Sequence, residues 1–258
     1  MNKTKLLNSK KPSIGSWITI ASTDIVEILS TANFDWLCID LEHTSIDLEA
    51  AKQLIIAIQS KGILAFVRVS KNEEVIIKRV LDIGADGLIV PMINSKSDAE
   101  QAVNFSKYPP NGTRGVGLYR AQNYGLGLES YKDSLEDLIL IAQIEHYTAV
   151  QNINDILDVG GIDGTIIGPY DLSASMGMPG NYNDISVQTE IDKVKTACEL
   201  KGKPFGFHVI EPDYKILLRR IEEGCTILAF SIDFFFLGDS ARKNMAELRK
   251  KIQWELFQ

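Results

Sequence analysis

A chain of 258 residues, 45% hydrophobic and 24% charged, has the composition of an ordinary folded protein and enough length to bury a large core. Its net charge of −7 weighs against nucleic acid or an anionic membrane surface as the main partner. No apolar run reaches the ~18 residues of a membrane span, and no long apolar segment follows the opening Met-Asn-Lys-Thr-Lys, so neither a span nor a secretory signal is expected.

Residues 14–20 read as a first strand, and Thr23-Asp24 caps a helix running to about Ala32, with Ile25, Ile28 and Leu29 on one face. Residues 36–41 form a second strand, apolar enough to be buried on both faces, and its end carries Asp40, Glu42 and His43. Asp47 opens a helix to about Ser60. A third strand over 64–69 ends on Arg68, and Asn72 is expected to cap a helix reaching Leu81. A fourth strand over 87–90 stops at Pro91, and a helix covers 95–107. The rhythm then breaks over residues 108–134, which hold Pro109-Pro110, several glycines and little periodicity. Arg114, Tyr119, Arg120 and Tyr124 favour a packed, functional loop there.

Strands at 138–144, ended by Glu145, and at 165–167, stopped by Gly168-Pro169, resume the pattern, with a helix or short turn over 148–157 between them. Asp171 and a small-residue loop follow. Then come a helix over 185–201, a strand over 205–209, a helix over 212–222, a strand over 226–230 and a closing helix over 240–257. Cys38, Cys198 and Cys225 are odd in number and lack the spacing of a metal or redox motif. They read as buried reduced thiols in a cytoplasmic protein.

About eight strand–helix alternations without a composition break predict parallel strands with crossover helices. At this length the pattern predicts a single-domain (β/α)8 barrel over residues 1–258. Residues 1–12 would be an N-terminal extension and 236–258 a C-terminal helix. A doubly wound open sheet is the alternative.

In such a barrel the active site lies at the C-terminal strand ends. The polar residues falling there are Asp40, Glu42, His43, Arg68, Gln143, Glu145, Asp171, His208 and Asp233. Glu145 and Asp171 follow neighbouring strands, and a divalent cation such as Mg²⁺ or Mn²⁺ would reconcile two converging carboxylates; otherwise one of them is a surface or capping acid. His43, close to Asp40 and Glu42, is a candidate general base or a hydrogen-bonded structural histidine. Arg68 reads as a clamp for a carboxylate or enolate, or as an ion-pair partner. Asp82 and Asp86 read as structural or interface groups. Gly112-Thr113-Arg114-Gly115-Val116-Gly117 is a weak phosphate-loop signal, and Lys71 a weak Schiff-base candidate.

An ordered series of segments resembles the HpcH/HpaI aldolase family over residues 13–235. It comprises Asp35 through His43, Val67-Arg68-Val69, Leu81-Asp82-Ile83-Gly84-Ala85, Val90-Pro91-Met92, Tyr108 through Gly117, Gln143-Ile144-Glu145 and Gly164 through Gly177. The resemblance implies a (β/α)8 class II aldolase that makes or cleaves 4-hydroxy-2-oxo acids, with pyruvate and an aldehyde as the fragments. It implies that Glu145 and Asp171 hold a divalent metal cation (Mg²⁺, Mn²⁺ or Co²⁺). Arg68 would bind the ketone oxygen, and His43 with Asp40 would move a proton on the aldol hydroxyl. Gln143 would support the metal shell, and the backbone of Gly168, Pro169, Tyr170 and Asp171 would meet the pyruvate carboxylate. It further implies a homo-oligomer, a hexamer or trimer of dimers, in which closing helices are exchanged. Leu41, Thr44-Ser45 and Ser231-Ile232-Asp233 depart from the family pattern, which more often has Gly at 41, a Pro after the histidine and Gly-Val-Asp near the end. Two rival readings remain: an enolate-forming lyase of the phosphoenolpyruvate/pyruvate superfamily taking an acyl-CoA or phospho substrate, and a non-catalytic binding barrel.

Overall fold

Each predicted apolar run becomes a strand and pairs with the next run in the chain. The computed structural model describes residues 6–7, 11–134 and 137–255. Its strands are β1 (Ser13–Ile18), β2 (Trp36–Asp40), β3 (Leu64–Arg68), β4 (Gly87–Val90), β5 (Ile139–Ile144), β6 (Gly164–Ile167), β7 (Phe205–Val209) and β8 (Ile227–Ile232). All pairs are parallel, and β8 returns to β1, so the sheet is a closed barrel and not an open doubly wound sheet.

Crossover helices cover the outside because their apolar residues repeat at helical spacing. In the helix Leu48–Ser60, Ala51, Leu54, Ile55 and Ile58 are buried, and Asp47 caps the start by accepting from the Ala50 N–H at 2.8 Å. Inside the barrel, Trp17, Trp36, Cys38, Phe66, Ile141, Ile166 and Ala229 form a second apolar cluster, joined by Leu6. Trp36 stacks on Phe66 at 5.3 Å, and Gly15 makes room for it, since a Cβ there would lie 2.0 Å from the indole.

Strand side chains alternate, so residues two places beyond this cluster face the same interior. Cys38 leads to Asp40, Phe66 to Arg68 and Ile141 to Gln143. Gly206, paired with the inward Ile166, leads to His208. The polar layer at the barrel mouth is thus a continuation of the core pattern by one pleat.

Several boundaries differ from expectation for identifiable reasons. β1 stops at Ile18, because the Thr19 and Ile20 N–H groups donate to Asp233 Oδ2 instead of extending a ladder. The helix Glu74–Asp82 starts from Glu73 without a side-chain cap, while Asn72 Nδ2 is turned to the Asp98 carbonyl. Gly168–Pro169 opens a seven-residue helix, Pro169–Ser175, and not only a loop, as proline at the first helical position allows. The seventh crossover helix is Tyr214–Glu222, capped by Asp213. The closing helix begins at Asp233, well before residue 240, and runs to Glu255. Its expected last residues, 256–257, and most of the expected N-terminal extension lie outside the described residues. The irregular stretch 108–134 contains a 3₁₀ segment, Arg120–Gly125, and a helix, Leu128–Ser134. The three cysteines are buried and unpaired.

Candidate active site

Arg68 is the centre of the mouth. It lies at the end of β3 beside β2, in register with Asp40, and the two make a bidentate pair: Nε donates to Oδ1 at 2.9 Å and Nη2 to Oδ2 at 2.7 Å. Nη1 reaches Gln143 Oε1 at 3.4 Å, and the guanidinium carbon stands 4.5 Å from the Trp17 ring centroid. Burial pushes the Asp40 carboxyl up, but the hydrogen bonds and charge of Arg68 outweigh it and hold it below the ordinary aspartate range. Asp40 is therefore committed to Arg68. Its link to His43 is a backbone N–H donated to Oδ1 at 3.4 Å, not a bond to the imidazole.

The acids are gathered by short loops. Glu145 follows β5; its Oε1 accepts from the Met92 N–H at 2.8 Å and its Oε2 accepts from Gln143 Nε2. Met92 holds that N–H in place with a φ of 54°, a left-handed conformation unusual for a side-chain-bearing residue. Gly168 lies against the same carboxylate: a Cβ there would come 3.1 Å from Glu145 Oε2. Asp171 stands in the first turn of Pro169–Ser175. Burial pushes the Glu145 carboxyl up, and the Asp171 charge adds to the rise. Glu42 is pushed up to about 7, first by burial and then, against the pull of Arg68, by the charges of Glu145, Asp40 and Asp171. Its Oε2 lies 3.3 Å from Arg68 Nε yet is a buried atom with no hydrogen bond among the described residues.

More carboxylates than cations face this mouth, and a divalent ion fits that surplus. Among the described residues no group of three or more His, Cys, Asp and Glu side chains is arranged as a ligand set. Glu145 and Asp171 would therefore offer two oxygens and leave the remaining positions to water and substrate, as Mg²⁺ accepts.

A cleft of about 170 Å³ opens beside these groups, lined by Trp17, Arg68, Gln143, His208 and Ile210, and by β6 with the segment Gly168 to Asp171. Of the expected residues, Arg68, Gln143, Gly168, Pro169, Tyr170 and Asp171 all border it. Glu145 supports its floor through Gln143. The Tyr170 ring packs 5.3 Å from Tyr182. His43 is not among the residues lining the cleft; its side chain is 63% exposed, with Nε2 3.6 Å from Glu42 Oε2.

Asp233, among the strand-end candidates, has structural work instead, and Asp82 and Asp86 have structural roles of the kind expected of them. Asp233 accepts from Thr19 and Ile20 N–H and from Thr19 Oγ1, tying β8 to β1. Asp86 accepts from the Ala65 N–H, and Asp82 pairs with Arg114. In the glycine-rich segment the Thr113 and Arg114 N–H groups are used on Asn104 and Lys107 carbonyls, so they are not free for a phosphate. Lys71 is 71% exposed and paired with Glu73. Two contributors were not singled out from sequence: Trp17 and the Met92 N–H. The pattern Val90-Pro91-Met92 at a strand end was the one available signal for the second.

A family model described as HpcH/HpaI aldolase/citrate lyase matches residues 13–235. The chain is similar to a hydroxypyruvate/pyruvate aldolase of Cupriavidus necator, 34% identical over 95% of this chain and 91% of that protein. It is also similar to a 5-keto-4-deoxy-D-glucarate aldolase of Escherichia coli, 35% identical over 97% of each. Among solved structures, an HpcH/HpaI aldolase/citrate lyase family protein from Burkholderia cenocepacia superposes with a TM-score of 0.91 at 30% identity, covering 96% of this chain and 98% of that one.

Proposed function

Because the chain belongs to the HpcH/HpaI aldolase/citrate lyase family and is a carbon–carbon lyase, we propose that it is a metal-dependent aldolase. It reversibly cleaves a 4-hydroxy-2-oxo acid into a 2-oxo acid of the pyruvate type and an aldehyde. The observation that carries this reading is the juxtaposition of Arg68, locked by Asp40, with a buried surplus of carboxylates around one cleft.

A divalent cation (Mg²⁺, Mn²⁺ or Co²⁺) held by Glu145 and Asp171 would supply Lewis-acid stabilisation of enolate charge. The remaining chemistry falls to the chain itself. Gln143 and the Met92 N–H hold the Glu145 carboxylate in one orientation. The first turn of Pro169–Ser175 leaves the Tyr170 and Asp171 N–H groups without intrahelical acceptors, suited to the substrate carboxylate. His43 accepts the C4 hydroxyl proton, directly or through a water, as the C3–C4 bond breaks. The bonding pair becomes the enolate, whose oxygen faces the fixed charge of Arg68. Asp40 acts by holding Arg68. Condensation runs the same steps in reverse.

The packed glycine segment weighs against a phospho or coenzyme A substrate bound there. The proposal extends to a homo-oligomer, with exposed Leu237, Met245, Leu248 and Ile252 of the closing helix covered by a second copy, and to the cytoplasm, where the three free thiols stay reduced. Among the described residues no helix is long and apolar enough to cross a membrane.

The test is pyruvate release from a panel of 4-hydroxy-2-oxo acids, with EDTA or with each metal. Glu145→Gln and Asp171→Asn are expected to lower metal-dependent turnover by about 10³-fold or more while the barrel still melts cooperatively. Full activity of either variant after EDTA overturns the mechanism.

A further inference from the structure

One polar group in the cleft wall has no task in the chemistry above. His208 points inward from β7, in the same layer as Arg68 and Gln143, and lines the 170 Å³ cleft beside Gly168 to Asp171. Its ring packs on Trp17 at 5.4 Å, on the indole that Arg68 also covers. Nε2 is buried without a partner, and neither ring nitrogen has a hydrogen bond among the described residues. Burial and the nearby Arg68 charge pull its pKa down to about 3, so the ring is neutral near pH 7. A neutral imidazole carries one donor and one acceptor, and in a half-buried wall both are costly to leave unmade.

A hydroxyl of a substrate bound in the cleft would meet them. In the proposed reaction the carboxylate and ketone oxygen are already served by the Gly168–Asp171 segment, the cation and Arg68. The methyl of pyruvate would leave the imidazole as it is. We infer that His208 hydrogen-bonds a hydroxyl on C3 of the 2-oxo acid, so that the preferred nucleophile is a 3-hydroxy-2-oxo acid such as hydroxypyruvate over pyruvate. A site built to bond a hydroxyl rejects the analogue lacking it, because the rejected analogue leaves the buried group unpaired. This inference rests on the aldolase reading and names the donor substrate of that same site.

The test compares hydroxypyruvate and pyruvate as nucleophiles toward one aldehyde, in wild type, His208→Leu and His208→Gln, with metal present. The ratio of kcat/KM for hydroxypyruvate to that for pyruvate is expected to fall about 10-fold or more in His208→Leu, chiefly through KM. His208→Gln, which keeps a donor and an acceptor, is expected to recover part of it. A smaller change in the ratio, an equal loss toward both nucleophiles, or a change seen only among aldehydes overturns the assignment. In the unaltered enzyme, where folding of a variant is not at issue, hydroxypyruvate should move the His208 imidazole ¹⁵N resonances and pyruvate should not; equal responses also overturn it. Failure of the underlying reading looks different: wild type would then exchange the C3 protons of neither acid with D₂O.

Discussion

Arg68 carries two loads at the residue scale, and they separate by substitution. Its side chain is 14% exposed and its partner Asp40 4%, so removing the guanidinium strands a buried carboxylate. Arg68→Ala is expected to cost about 3–5 kcal/mol in urea unfolding. Arg68→Lys keeps the charge and much of the stability, yet loses the two-pronged hold and the stacking on Trp17. Pyruvate release is expected to fall about 10²-fold or more in that variant, with a smaller shift in the unfolding midpoint. An unchanged rate would mean that Arg68 is a structural ion-pair partner alone. Ser231 is a second instructive residue. The resemblance makes glycine the more usual residue there, and this chain's serine takes a φ of 54°. The strain, about 1–2 kcal/mol, is offset by the hydroxyl, which donates to the Ile210 carbonyl at 2.9 Å. Thr44 works similarly in the Thr44-Ser45 departure from the family pattern, its hydroxyl donating to the Asp40 carbonyl and accepting from the Ile46 N–H to close the turn that presents His43.

Residues 108–134 form the element least legible from periodicity. The aromatic and arginine content pointed to packing, and the structure supplies the reason. Arg114 is fully buried, donates to Asp82 at 2.6 Å and to the Tyr131 hydroxyl at 3.0 Å, and lies over the rings of Tyr108 and Tyr131. Arg120 reaches the Ile83 carbonyl and Gln59, and buried Gln122 reaches the Tyr108 hydroxyl. These partners lie up to 61 residues away, so no local pattern announces them. Asp82→Ala is expected to leave the buried guanidinium uncompensated, lowering stability by about 3 kcal/mol and opening residues 108–134 to proteolysis. Limited digestion together with urea melts checks both. An unaltered cleavage pattern would show that the loop is held without this pair. Asp47 caps its helix as expected because its side chain is free to bond its own backbone, whereas the cap expected at Thr23-Asp24 is Ser22, whose hydroxyl accepts from the Asp24 N–H in a helix that ends at Ser30. The Asn72 cap failed because a distant carbonyl, that of Asp98, competes for its amide.

For the whole molecule, the closing helix leaves Phe234, Leu237, Met245, Leu248 and Ile252 45–64% exposed, with Leu237, Met245, Leu248 and Ile252 recurring at helical spacing. Sedimentation of the native chain is expected to report a hexamer, and Leu237→Lys with Leu248→Lys to shift it to smaller species; a wild-type monomer would refute the assembly. What the sequence determined by itself was the strand–helix alternation and the cast, while the closure of β8 onto β1 was decided by the structure. Eight alternations of β and α period dictate parallel pairing, and strand-end polar residues must lie at one mouth, because both follow from local periodicity and the direction of the chain. Only the tertiary structure decided who pairs with whom. Register sets Asp40 against Arg68 and not against the His43 ring; a left-handed Met92 turns its N–H onto Glu145; and Glu42 and His208 are left with buried atoms that make no hydrogen bond among the described residues. Those outcomes depend on distances between residues far apart in the chain and on the burial that closure of the barrel imposes. A linear pattern encodes neither.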